Sequence, residues 1–431
     1  MKVVVYGLWH LGTVTAACLA ELGHDVTGFD DSIDVIDSLS NGVLPVSEPG
    51  LEELVKKNLR LGKLKFVSKI SQLPDHFEYL WVTIDTPVDE SDGADSDGVI
   101  NSIVAVANEA PNDCRIIISS QLPAGTTKKI QALLGTVATE KELAFCYSPE
   151  NLRLGSALNV FLNPDRIVVG VDSQEDLEKF KSLFLTISNR IEWMSSVSAE
   201  MTKHAINAFL ALSVAFANEI ATIAEHEGAS AVDITRGLRT DIRIGTKAYL
   251  LPGDSFAGGT LARDVRYLET KSTEHQISTP IVDSIIRSNE AHSLWAQIKI
   301  NRTFNDISGK RFTLCGLAYK PNTNTLRRSR AVELGDWLLG KGAHVSVVDQ
   351  ENFEIPKNWQ GQIEIYQLVR EAFVKSDVVI VGPSYNIPEI EMTELLEFEG
   401  DSDILVLDAG KRWSELSLLK QVDYQYVGKE R

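Results

Sequence analysis

The sequence predicts an α/β protein made of two Rossmann-like, doubly wound domains joined by a long central helix and a helical connector. Three observations lead to this. Residues 1–195 alternate short Val/Ile-rich runs with amphipathic stretches, residues 198–228 form one uninterrupted helical run, and a second alternating series fills 301–431. Short apolar runs separated by helical patterns are what parallel strands in βαβ units look like in sequence.

In the first series the strand runs are KVVVYG, DVTGFD, YLWVTID, RIIISS, AFCYSP and RIVVGV. The central run, SAEMTKHAINAFLALSVAFANEIATIAEHEG, keeps helical spacing of apolar residues without proline. Ser198 is the expected cap and Gly228 the expected stop. Further helical sequence, broken by a glycine-rich loop, reaches about residue 300. RFTLCGLAYK, HVSVVD, DVVIVG and DILVLDAG then mark the strands of the second α/β domain. The expected division is 1–195, 196–300 and 301–431.

Bulk composition narrows the partners. The 431-residue chain is 44% hydrophobic and 24% charged, as soluble globular proteins are. No unbroken apolar run approaches the roughly 20 residues that cross a bilayer. MKVVVYG enters a strand directly with no leader pattern, so the cytoplasm is expected. A net charge of −18 argues against nucleic acid and anionic membrane as partners. Cys18, Cys114, Cys146 and Cys315 lie far apart in apolar contexts, so buried reduced thiols are expected rather than a disulfide framework or a metal site.

The first strand runs into VVVYGLWHLG, where Gly7 and Gly12 frame a tight turn into a helix, and Asp30 ends the second strand run. In dinucleotide-binding folds the pyrophosphate sits on that helix N-terminus and the acidic residue on a ribose hydroxyl. Asp30 would repel a 2′-phosphate, so NAD rather than NADP is the expected cofactor. Trp9 stands where the middle glycine of G-x-G-x-x-G normally lets the backbone approach the phosphates. A Rossmann domain that has lost its nucleotide is the competing reading of that residue.

EPGLEEL (48–54), TIDTPVDESDGAD (83–95), PAGTT (123–127), SPENLRLGSA (148–157), FLNPDRIVVG (161–170), AEMTKHAINAFL (199–210), YLLPGDSFAGG (249–259) and GLAYKPNT (316–323) form an ordered series. In it the chain resembles the UDP-glucose/GDP-mannose dehydrogenase family along essentially its whole length. The resemblance implies an NAD-dependent enzyme that oxidises the C6 alcohol of a nucleotide sugar to a carboxylate by two hydride transfers, and a homodimer formed through the long central helix. It implies a cofactor set of Gly7, Trp9, His10, Leu11, Gly12, Asp30, Thr86 and Gln121. In such enzymes a cysteine traps the aldehyde as a thiohemiacetal, and water releases the acid from the thioester that follows.

By the same resemblance Lys203 and Asn207, four apart and so on one helix face, stabilise the alkoxide, although that pattern alone also fits a solvated face. Asp264 takes the alcohol proton, and Glu150 activates water for thioester hydrolysis. Asn324, Thr325 and Arg328 depart from the family pattern in the nucleotide half, and four further positions depart in the catalytic half. Thr260 replaces the cysteine, Leu154 a second glutamate, Gln121 the threonine of a Ser-Thr pair, and Asn151 a usual aromatic. A hydroxyl is far less acidic than a thiol and attacks only when a base removes its proton. No histidine lies near Thr260 in sequence, although His204 on the long helix remains a candidate base. The expectation is that the first oxidation survives and the thioester route is closed. Tyr249, Leu250 and Gly258 are expected to wrap the nucleotide. Lys320 and Arg327, with Arg328 and Arg330, are expected to meet its diphosphate; a UDP-sugar is favoured. A redox-neutral epimerase and a non-catalytic nucleotide-sugar-binding protein remain the alternatives.

Overall fold

The structure is a computed structural model that describes residues 1–87, 95–150, 152–257, 259–318, 326, 329–349, 355–398 and 403–430. The chain divides into two compact units, Met1–Ile206 and Asn207–Arg431.

The first unit is built on an eight-stranded sheet of β1 (Lys2–Tyr6), β2 (Asp25–Phe29), β3 (Leu64–Val67), β4 (Tyr79–Val82), β5 (Arg115–Ile118), β6 (Ala144–Tyr147), β7 (Ile167–Gly170) and β8 (Ile191–Met194). Their order is β3-β2-β1-β4-β5-β6-β7-β8. Strands β1 to β6 pair in parallel, and β7 meets β6 antiparallel at Tyr147 and Gly170 before pairing in parallel with β8. The central strands are covered on both faces. Val3, Val5, Tyr79 and Trp81 pack into one apolar cluster while Val4, Tyr6, Leu80 and Val82 pack into another, which is why these runs are apolar at every position.

The second unit carries a parallel six-stranded sheet of β9 (Arg311–Cys315), β10 (His344–Val348), β11 (Ile363–Tyr366), β12 (Val378–Val381), β13 (Ile404–Leu407) and β14 (Val422–Gln425). Its order is β11-β10-β9-β12-β13-β14, so both units reverse strand order beside their first strand. Helices Ala231–Thr240, Thr260–Glu274, Pro280–Ser293 and Trp295–Thr303 precede this sheet. The four cysteines are buried and unpaired.

The long helix spans Ser196–Glu227, two residues earlier than its sequence suggests at the start. Three serines compete there, and Ser195 wins the capping role. Its Oγ accepts the Ser198 N–H at 3.2 Å, while Ser196 is tied to Asp172 by an Oγ–Oδ2 bond of 2.6 Å. Gly228, at φ +70°, ends the helix, and the Ala229 N–H returns to the Ala224 carbonyl. By length and composition this helix is apolar enough to cross a bilayer, which the absence of an unbroken apolar run had concealed; half of its most apolar window is buried in the protein.

Trp359 shows how tightly the second core is packed. Its ring is fully buried, its Nε1 donates to Asp336 Oδ1 at 2.7 Å, and a Cβ at Gly335 would come within 2.3 Å of it. Trp359→Ala should destabilise the protein by about 3–5 kcal/mol, read as a fall in the denaturant midpoint of the unfolding transition.

Candidate active site

In the first sheet β2, β1, β4 and β5 lie side by side, and the segments that follow them meet where strand order reverses, the place where such sheets bind ligands. Asp30 follows β2, Gly7 to Leu11 follow β1, Thr83 to Thr86 follow β4, and Ser119 to Gln121 follow β5. The structure thus collects the whole expected cofactor set on one edge of the sheet.

The two glycines are sterically required. Gly7 has φ +94°, and a Cβ there would meet the Ile84 backbone at 2.8 Å; a Cβ on Gly12 would lie 1.8 Å from the Gly7 carbonyl oxygen. Position 9 has no such requirement. Trp9 is extended, at φ −76° and ψ −156°, with its side chain half exposed, so the turn forms without a glycine there. Asp30 organises the turn by accepting the Leu8 N–H at 2.7 Å through Oδ2 and the Ser32 N–H at 2.9 Å through Oδ1. The Thr83 hydroxyl lies 2.8 Å from the Gly7 carbonyl, and Thr86 donates to the Gln121 carbonyl at 2.7 Å. No acidic residue occupies the first turn of the helix His10–Glu21. Its N-terminal N–H groups, the close glycine turn and the carboxylate of Asp30 fit a dinucleotide pyrophosphate and ribose.

In the same unit the start of the long helix holds three loops. Lys203, only 6% exposed, donates to the Glu150 carbonyl at 2.6 Å and to its carboxylate at 3.2 Å. Glu150 also accepts the Leu152 N–H at 2.7 Å. Buried Glu200 accepts the N–H groups of Gly125 and Thr127 at 2.5 and 2.8 Å and the Thr127 hydroxyl at 2.7 Å. Burial still pushes its carboxyl above the usual range. The His204 Nε2 bonds the Leu122 carbonyl at 3.2 Å, which commits that ring to the β5 loop.

In the second unit Asn207 donates its amide to Asp264, which is fully buried. Asp264 therefore sits inside the fold rather than acting as a surface charge at a helix start. Thr260 is exposed and opens the helix Thr260–Glu274, one turn before Asp264. Among the described residues no side chain hydrogen-bonds its hydroxyl. The preceding loop is fastened by side chains that sequence reasoning did not single out. Asn218 accepts the Gly253 N–H at 2.8 Å, Asn289 brackets both backbone groups of Phe256 at 2.9 and 2.8 Å, and His292 bonds the Gly253 carbonyl at 2.7 Å. Tyr249 is exposed, whereas Leu250 is buried and its carbonyl is taken by the Thr235 hydroxyl at 3.1 Å. Leu154, in the first unit, is exposed.

Beside this loop a cleft of about 90 Å³ opens at the ends of β12 and β13, lined by Asp254, His292, Arg330, Gly382 and Ala409 among others. Arg412 bonds Asp254 at 2.5 Å and lies 3.7 Å from buried Asp408. Arg330 Nε, Ser384 Oγ and Arg412 Nη1 are buried at these strand ends without a hydrogen-bond partner among the described residues. Orphaned buried donors at a topological switch point fit an anionic ligand. Gly258, Lys320, Asn324, Thr325, Arg327, Arg328 and Asn151 lie outside the described residues.

Only non-local bonds reveal Glu48, Glu200, Asn218, Asn289, His292 and Arg412. Of these, Glu48 and Glu200 fell inside stretches the resemblance marked, EPGLEEL and AEMTKHAINAFL. The two kinds of helical glycine make opposite expectations. Gly12→Ala should destabilise the first unit and weaken NAD binding, because its Cβ has no space. Gly135→Ala, where nothing lies within 4 Å, should stabilise by about 0.5–1 kcal/mol; thermal melts and NAD titration separate them.

Residues 1–188 match the NAD binding domain of the UDP-glucose/GDP-mannose dehydrogenase family, 197–291 its central domain and 313–395 its UDP binding domain. A UDP-glucose 6-dehydrogenase of Rickettsia felis is 31% identical over 405 residues, 93% of this chain and 88% of that protein. One from Rickettsia typhi is 30% identical over 433 residues, 99% of this chain and 98% of that protein. The structure of a UDP-glucose dehydrogenase from Pyrobaculum islandicum superposes with a TM-score of 0.83 at 25% identity, covering 100% of this chain and 97% of that one. A UDP-D-ManNAc dehydrogenase from Pyrococcus horikoshii shares the fold, with a TM-score of 0.82 at 21% identity over the full length of both chains. Three domains matched in order, and relatives of this identity over nearly the whole length, show that the chain belongs to the UDP-glucose/GDP-mannose dehydrogenase family of NAD-dependent oxidoreductases acting on CH–OH groups.

Proposed function

We propose that this protein oxidises a hydroxyl of a UDP-sugar, at C6, to the aldehyde and lacks the covalent second half of the family reaction. The observation that carries the reading is the contrast between a kept and a missing set of groups. Buried Lys203 is bonded to partly exposed Glu150, and Asn207 and Asp264 are a buried, bonded pair, whereas the position that the resemblance assigns to the trapping thiol is an exposed threonine. The division of labour is 1–195 for cofactor, 196–300 for chemistry and dimerisation, and 301–431 for the nucleotide.

Bound NAD, held by Gly7 to Gly12, Asp30, Thr86 and Gln121, supplies the hydride acceptor. Asp264 takes the hydroxyl proton as the C–H bond breaks. An ammonium has three N–H donors and Glu150 engages two of those on Lys203; the third, with the second amide N–H of Asn207, stabilises the developing alkoxide. The two side chains leave a continuous helix one turn apart, so they share a face. Thr260 then bonds the sugar or a water. Without a thiolate no thiohemiacetal forms, and Glu150, held by Lys203 and by its own loop, has no thioester to hydrolyse. The diphosphate is met by Lys320, Arg327 and the donors around the second cleft, and the loop from Tyr249 to Gly258 wraps the nucleotide.

The same helix supports the homodimer. Phe209, Phe216 and Ile223 recur every seventh residue and are 66%, 44% and 58% exposed, a seam that a second copy would cover. Phe216→Glu should shift the protein from dimer to monomer in light scattering.

The central test is incubation with NAD and a panel of UDP-, GDP- and dTDP-sugars, reading NADH formed per sugar consumed. One NADH per sugar and an aldehyde product are expected, and Thr260→Cys should raise the yield of acid. Two NADH per sugar with carboxylate at an ordinary enzymatic rate would refute the reading. No NADH would leave product analysis to separate a redox-neutral epimerase from a non-catalytic binder.

A further inference from the structure

Glu48 is a carboxylate only 4% exposed in the first unit, and it has three partners, one at the start of the helix His10–Glu21 and two at the start of the helix Ala157–Leu162. Its Oε2 lies 2.9 Å from His10 Nε2 and accepts the Gly155 N–H at 2.9 Å; its Oε1 accepts the Ala157 N–H at 2.8 Å. Burial raises the cost of its charge, but the N–H groups and the imidazole outweigh that and hold the carboxyl below its usual range. It is therefore an anion in the folded protein, and an anion so enclosed constrains whatever bonds to it.

His10 is the first residue of the helix that begins at the cofactor turn, directly after Trp9. Gly155 and Ala157 close the loop that carries Glu150, whose carbonyl and carboxylate hold Lys203. We propose that Glu48 is a positioning residue that ties the cofactor turn, through His10, to the Glu150 loop, so that the pyrophosphate-binding turn and the clasp on Lys203 are set by one buried carboxylate. Glu48 touches neither reacting atoms nor ligand; it acts through His10 on one side and through Gly155 and Ala157 on the other. The proposal rests on NAD binding and not on which sugar is oxidised or how far, so absence of sugar turnover would leave its test readable.

The test measures the NAD dissociation constant by calorimetry, and amide hydrogen exchange of residues 148–158 without NAD or sugar, in the full-length protein. His10→Phe removes the imidazole but leaves the Glu48 bonds to Gly155 and Ala157; His10→Gln restores a side-chain N–H that can reach the carboxylate. His10→Phe should raise the NAD dissociation constant about tenfold or more, the worth of one charge-assisted hydrogen bond, and speed exchange in 148–158. His10→Gln should return both readouts toward wild type. Glu48→Gln should mimic His10→Phe, with the double variant no worse for NAD than the worse single one, because both act along one path. If Glu48→Gln does not fold, the two His10 variants carry the test alone. The proposal is overturned if His10→Phe leaves the dissociation constant unchanged, if NAD affinity falls while exchange in 148–158 stays at the wild-type rate, or if His10→Gln rescues neither.

Discussion

Within little more than one turn the helix Ser196–Glu227 buries Glu200, Lys203 and His204, and polar groups remain buried only when the protein replaces the water they lose. Glu200 takes the N–H groups at the start of the helix after β5, His204 the Leu122 carbonyl, and Lys203 the carbonyl and carboxylate of Glu150. Leaving one such charge unpaired costs about 3–5 kcal/mol, a large share of the stability of a typical domain. The loops after β5 and β6 are thus held in place by the cost of letting go. Those loops carry Gln121 and Glu150, so the same bonds that keep the helix start buried also fix the segments that hold these two residues.

The chemistry follows from which side chains remain in that frame. Alcohol oxidation needs a base and donors for an alkoxide, polar groups whose burial the fold can satisfy, and a hydride acceptor, which bound NAD would supply. Covalent trapping needs one thing more, a nucleophile that is ionised near neutral pH, and no arrangement of the surrounding donors makes a threonine hydroxyl into that. On the proposed reading the loss is local. Thr260 and Leu154 are both exposed, whereas Lys203 is bonded to Glu150 and buried Asn207 to buried Asp264.

What the sequence disclosed of the fold depended on burial. The runs it marked as strands are all interior strands, and most of their residues are apolar. The four it passed over, β3, β8, β11 and β14, are the edges of the two sheets, each with one or more exposed or half-buried positions, so that LKFV, IEWM, IEIY and VDYQ show no unbroken apolar run. The Gly7 and Gly12 turn was legible because sterics leave no other residue there. Trp9 departs from the motif at a position whose backbone here is ordinary, so the turn forms without the glycine, and the expectation of NAD stands despite it. Glu48, Glu200, Asn218 and Asn289 make their bonds to residues 33 or more positions away, and a single sequence carries no record of such pairings. Glu48 and Glu200 were nonetheless within reach, since EPGLEEL and AEMTKHAINAFL were among the resembling stretches.

The proposed absence of covalent chemistry at Thr260 is tested most directly by intact-protein mass spectrometry on samples quenched during turnover with NAD and the UDP-sugar that is consumed. The account predicts unmodified protein at every time point. A stoichiometric acyl adduct that maps to Thr260 and decays as acid appears would contradict it.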